Sequence, residues 1–165
     1  METDADVDIR LIQRGLRVVV PRASEKDAAQ MEKFGYLLGL AFQIQDDWLD
    51  VYGDSNTFGK PIGGDINNGK KSFLLLTALE SGTPEAAALK VAMEMPAGDT
   101  KVKTVTRIYE KLNLSETVRK QVNHYSSEAL SALKKTSLSD AAKEPFKALI
   151  LSLIHISEPT RQEAI

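Results

Sequence analysis

With 165 residues, 42% of them hydrophobic and 27% charged, and a formal net charge of −2, the chain has the make-up of a soluble globular protein with room for one sizeable core. The balance is not basic, so nucleic acid and anionic membrane are not expected partners. The absence of cysteine excludes disulfides and thiolate metal sites and fits a reducing, cytoplasmic compartment. The acidic N-terminus is not a secretory signal, and no apolar run approaches the ~20 residues of an integral membrane segment.

In chain order, residues 1–22 have a short apolar run, Leu16 to Val20, closed by Pro21, and read as strand or irregular structure without a clean helical stripe. From Ser24 the pattern sharpens. Ser24-Glu25-Lys26-Asp27 resembles a capping box with Asp27 in the acidic position. Behind it Met31, Phe34, Leu38, Ala41, Gln45 and Trp48 recur at helical steps, which predicts a helix to about Val51, stopped by Gly53. Gly53 to Gly69 reads as a loop of about 17 residues, a length that points to function or disorder. Ser72 to Leu79 starts the next helix, and Thr83-Pro84 opens another that runs to Pro96. Asp99 to about Leu112 is amphipathic through Val102, Val105, Ile108, Tyr109 and Leu112. Ser115 is expected to cap a helix to about Lys135, and Ser139 the last one, with Pro145 kinking it. With no strand alternation after residue 22, the expected fold is all-α, in one domain.

Chemistry concentrates between Phe34 and Ser72. On the first helix Gly35, Gly39, Gln43, Asp46 and Asp50 share a sector roughly 80° wide, with Asp47 at its edge. Glycines beneath an amide and three acids suit the wall of a cavity better than a solvated face, where each glycine costs ~1 kcal/mol against alanine. Asp46 and Asp50, four apart, place two carboxylates on one face. Mg²⁺ suits such a pair because it takes oxygen ligands and commonly binds one or two carboxylates plus phosphates. Asp47 is better placed to pair with a lysine. Lys60, Lys70 and Lys71 follow in the glycine-rich loop and can reach phosphate oxygens as flexible point charges. The competing reading is an exposed acidic patch with ordinary surface lysines. It leaves unexplained why acids crowd a helix C-terminus, where the dipole disfavours them.

The series FQIQDDWLD, then GD, then FGKPIGGDINNGKKS closely resembles the second aspartate-rich region of the trans-isoprenyl diphosphate synthases, the polyprenyl synthetase family. Fainter likeness in helix pattern extends over residues 23–150. The resemblance implies the C-terminal half of an isoprenoid-synthase-type helical bundle, a homodimer in the full-length protein. It also implies Mg²⁺-dependent joining of isopentenyl diphosphate to an allylic diphosphate, giving a longer trans-isoprenyl diphosphate. By position it makes Asp46 and Asp50 the Mg²⁺ ligands and Lys60 and Lys70 the holders of the allylic diphosphate. Gln43 and Asp47 would line the site, and Asp65 would orient the lysine loop.

Departures from the family pattern set further expectations. No earlier DDxxD precedes Asp46, and LIQRGLRVVVPR lacks the family's Lys-Thr pair. The chain is therefore expected to hold only one half of the metal cage and to be inactive alone, with residues 1–22 divergent or non-native. LSLIHISEPTR, Leu151 to Arg161, resembles the translation of a sequencing adapter, so residues 151–165 are expected to carry no function. The alternatives are a non-catalytic helical subunit of a complete synthase, and a terpene cyclase. The missing N-D-x-x-S-x-x-x-E motif argues against the cyclase.

Overall fold

The structure is a computed structural model that describes residues 24–53 and 62–156. The readings made for residues 1–22, for Lys60 and for residues 157–165 lie outside the described residues. Among those described there are seven helices and no strand, so the all-α expectation holds. They are α1 (Glu25–Tyr52), α2 (Gly64–Asn68), α3 (Phe73–Leu79), α4 (Pro84–Met93), α5 (Asp99–Lys111), α6 (Leu114–Lys134) and α7 (Asp140–Ile156). No described helix is long and apolar enough to cross a membrane. The chain forms two compact units, divided within α1 between Gln43 and Ile44 and within α6 between Lys120 and Gln121.

The first unit takes the N-terminal part of α1, the C-terminal part of α6, and α7. At the start of α1 Ser24 caps as expected, but Asp27 answers through the Ser24 hydroxyl and not through the Ser24 backbone N–H, so only half of the expected capping box forms. The Asp27 amide donates to Ser24 Oγ at 3.1 Å and the Ser24 hydroxyl donates to Asp27 Oδ2 at 3.0 Å. Met31, Phe34, Leu38 and Ala41 are buried as the periodicity requires, together with Val122, Ala129 and Leu133 of α6. Phe34 meets Phe146 of α7 edge-on, with ring centroids 5.5 Å apart, a geometry that sets the positive edge of one ring on the negative face of the other. α7 is one helix through Pro145. It continues beyond Ile150, where family-like sequence was expected to stop, and buries Leu153.

The second unit runs from Ile44 to Lys120. Its core is Ile44, Val51, Ile66, Leu74, Leu75, Ala78, Leu89, Val105, Ile108, Tyr109 and Val118. Two boundaries differ from the sequence reading. α4 ends at Met93 with Glu94 as its C-cap rather than running to Pro96; the proline keeps Met95 from helical backbone, and the helix stops two residues short of it. α6 starts at Leu114, with Asn113 in the left-handed region (φ 51°) turning the chain. Ser115 therefore lies inside the first turn instead of capping it. Its hydroxyl oxygen accepts the Trp48 indole N–H at 3.1 Å.

The supposed loop Gly53–Gly69 also contains a helix, α2. Gly63 (φ 82°) precedes it and Gly69 (φ 65°) closes it, both in the left-handed region that glycine enters without a Cβ penalty.

Candidate functional site

The last two turns of α1, α2 and the start of α3 bring together four of the predicted residues, all within the second unit. The three aspartates of DDWLD meet three environments. Asp46 is exposed and makes no hydrogen bond or ion pair among the described residues. Asp47, 9% exposed, accepts the Lys70 ammonium on Oδ1 at 3.1 Å and the Phe73 amide on Oδ2 at 2.6 Å. Phe73 is the first residue of α3, so this carboxylate satisfies an orphan donor at a helix N-terminus, where negative charge is favoured. Ser72 satisfies another, accepting the Leu75 amide on its Oγ.

Asp50 faces α2. Its Oδ2 accepts the Asp65 amide at 2.9 Å, and its backbone carbonyl accepts the Gly63 amide at 2.7 Å. A Cβ on Gly64 would lie 3.3 Å from Asp50 Oδ1, so the residue at that position must be small for this approach. Burial pushes the Asp50 carboxyl above the usual carboxylate value, and the neighbouring Asp65 charge adds to the rise. The Asp65 and Gly64 amides and the Lys70 charge only partly offset it.

Lys70 bridges the cluster. Besides Asp47, its ammonium donates to Asp65 Oδ2 at 2.8 Å, and its backbone amide donates to the Asp65 carbonyl at 3.0 Å. Burial pulls this ammonium down, but hydrogen bonds to Asp65 and Asp47 and their charges outweigh it and hold it above the ordinary lysine value. Lys70 is thus firmly cationic, with half of its side chain exposed.

Of the other predicted residues, Gln43 is half-buried and falls in the first unit, Lys71 is exposed, and Lys60 is outside the described residues. No three His, Cys, Asp or Glu side chains converge as a ready metal cage among the described residues. Sequence reasoning missed the polar side of Tyr109. It counted this residue as core, and buried it is, but burial pushes the phenol above the ordinary tyrosine value and the Tyr52, Asp47 and Asp65 charges add to the rise. The only available signal was the residue type, since a tyrosine on a buried face brings a phenol that needs a partner.

The polyprenyl synthetase family model matches residues 11–112. A short chain isoprenyl diphosphate synthase of Methanothermobacter thermautotrophicus is 36% identical over 94 residues, covering 56% of this chain and 29% of that protein. Octaprenyl diphosphate synthase of Escherichia coli is 32% identical over 128 residues, covering 77% of this chain and 38% of that protein. Among solved structures, geranylgeranyl pyrophosphate synthase of Corynebacterium glutamicum, complexed with isoprenyl diphosphate and magnesium, superposes with a TM-score of 0.71 at 25% identity. That match covers 81% of this chain and 38% of the other. The chain thus spans 29% to 38% of the length of these relatives.

Proposed function

The chain belongs to the polyprenyl synthetase family, and on that premise we propose that it carries the second aspartate-rich half of a trans-isoprenyl diphosphate synthase site. In this reading Asp46 and Asp50 bind Mg²⁺, and Lys60 and Lys70 hold the diphosphate of an allylic substrate. The reaction is condensation with isopentenyl diphosphate to a longer trans-isoprenyl diphosphate. It is proposed for a site that adds a further aspartate-rich cluster to this one, so this chain is expected to bind without turning over by itself. A homodimeric, cytoplasmic full-length protein belongs to the same proposal.

The observation that carries the reading is the suspension of Lys70 between Asp47 and Asp65 beside an unengaged Asp46. A lysine fixed by two carboxylates is aimed rather than free, while Asp46 has no hydrogen-bond or ion-pair partner among the described residues. The donor set fits a hard divalent cation. Every candidate ligand is a carboxylate oxygen, and an ionised carboxylate has about four lone-pair sites, so Asp50 retains free ones after its amide bonds. Carboxylates outnumber ammonium groups here, and such a surface repels diphosphate until a bound cation inverts the local field.

Mg²⁺, when bound, would neutralise the charge that develops on the leaving diphosphate. The protein's own residues do the positioning. Asp47 holds Lys70 and the α3 N-terminus in one register, Asp65 sets the side of Lys70 nearest α2, and the Lys70 charge is preorganised toward a diphosphate oxygen.

The test is isothermal titration of inorganic pyrophosphate in the presence of Mg²⁺. Wild type should bind, and Asp46→Ala and Lys70→Ala should each weaken binding about tenfold or more, the scale of one lost charge-assisted contact. Heats indistinguishable among all three proteins would overturn the reading.

A further inference from the structure

We propose that Asn67 is a positioning residue for this site: near the C-terminal end of α2 its side chain receives the Gly98 amide, and that tie fixes the short helix whose Asp65 grips Lys70. The geometry stands on its own, and its consequence for ligand binding rests on the diphosphate reading above.

Among the described residues, the hydrogen bonds that join α2 to α1 both run through Asp50, to the Gly63 and Asp65 amides at the N-terminal end. A joint at one end leaves a five-residue helix free to swing, since a helix that short does not hold itself. Burial of Ile66 adds attraction without direction. Toward the other end Asn67 Oδ1 accepts the Gly98 amide at 2.9 Å, from 31 positions along the chain. Asn67 and Asp65 lie roughly 200° apart on α2. The helix is therefore held on the side away from the carboxylate that grips Lys70.

The donor side has its own signature. Gly98 has φ 146° and ψ 177°, a backbone shape essentially confined to glycine and costly enough to need support from its surroundings. A Cβ there would meet nothing within 4 Å, so the backbone and not the space requires glycine. The amide that this shape presents is the one Asn67 receives. From Asn67 the tie reaches the lysine through α2. The Lys70 amide donates to the Asp65 carbonyl at 3.0 Å, and the Lys70 ammonium donates to Asp65 Oδ2 at 2.8 Å.

Asn67→Ala removes the acceptor and leaves Asp47, Asp65 and Lys70 in place. Hydrogen exchange of the Lys70 amide, measured without ligand, should quicken about fivefold, the scale of a local opening released by one hydrogen bond. The amide of Leu89, in the core of α4, should be unchanged. Asn67→Asp, which keeps an acceptor oxygen, should exchange at Lys70 like wild type. Affinity for inorganic pyrophosphate with Mg²⁺ should fall several-fold in Asn67→Ala. In a Lys70→Ala background the same change should cost nothing further, because residues acting through one link are not additive.

Unchanged exchange at Lys70 overturns the proposal, as does acceleration shared equally by Leu89, which would mark general loosening. A loss of affinity that adds in full to that of Lys70→Ala overturns it too, as does no loss at all where wild type binds. If exchange quickens at Lys70 alone while wild type fails to bind pyrophosphate, the setting of α2 by Asn67 stands and the diphosphate reading falls. If wild type binds and Lys70→Ala does not, while Asn67→Ala changes neither readout, the diphosphate reading stands and this proposal falls.

Discussion

Three aspartates within five positions of one helix differ because of what each faces. Asp46 meets solvent, Asp47 meets an ammonium and a helix N-terminus, and Asp50 meets the Asp65 backbone amide and the Asp65 charge. The sign of the Asp50 effect on stability is definite. A carboxyl whose folded pKa is raised keeps its proton in the native state after the unfolded chain has released it. Its contribution therefore worsens as pH climbs from the ordinary value near 3.8 through the raised one, and stays unfavourable at neutral pH. Asp50→Asn, which can still accept the Asp65 amide, should melt at a higher temperature than wild type at pH 7 without metal. The difference should shrink as pH is lowered below the ordinary aspartate range. Paired thermal melts across pH check this, and a lower melting temperature for the variant at pH 7 would contradict it.

At the scale of the element, α2 explains how a five-residue helix rich in glycine and asparagine exists at all. Its sequence, GDINN, has poor helix propensity, and a helix that short is not stable by itself. Tertiary anchors hold it. Gly63 donates to the Asp50 carbonyl, Ile66 is buried, and Asn67 Oδ1 accepts the Gly98 amide at 2.9 Å. Val102 of α5 sits where a side chain at position 63 would begin, with Cγ1 2.5 Å from an ideal Cβ. Gly63→Ala thus combines a left-handed backbone penalty of roughly 1–2 kcal/mol with overpacking of roughly 1–3 kcal/mol against a stiff β-branched neighbour. Urea denaturation should show a loss within the sum of those ranges. Adding Val102→Ala should relieve the overlap but leave the backbone cost. The helical periods of α3 to α6 were legible because each buries a face of its own. The period of α2 was not, because its anchors come from α1, from α5 and from the turn before α5.

At the scale of the molecule, the first unit is closed by residues far apart in the chain. Asp27, at the start of α1, accepts the Ser137 amide at 2.7 Å and the Ser137 hydroxyl at 2.5 Å, across 110 positions. Those two bonds, with lesser help from Ser24 and Lys26, hold the Asp27 carboxyl below its ordinary value of 3.8 against the opposing pull of burial. A depressed carboxyl stabilises the fold above its unfolded pKa and loses that contribution as pH falls through the lower, folded one. Wild type should therefore lose stability below about pH 4, near the unfolded aspartate value. Asp27→Asn should be less stable at pH 7 and show a shallower decline in acid. Parallel melts of the two proteins at pH 7 and pH 3 decide it.

The sequence by itself determined the helical class, most helix boundaries and the family, because these rest on local quantities: apolar period, capping residues, and an ordered motif within one stretch. Ser24 with Asp27, Thr83 with Pro84, and DDWLD followed by a glycine and lysine loop are all readable without coordinates. Only the tertiary structure decided which aspartate pairs with Lys70 and which turns to backbone amides. It alone placed a helix at Gly64–Asn68 and gave Ser115 to Trp48. The physical reason is one of range. Periodicity and capping act within one or two turns of chain, whereas the carboxylates and ammonium of this site come from α1, α2 and the turn before α3, and meet only when those elements pack.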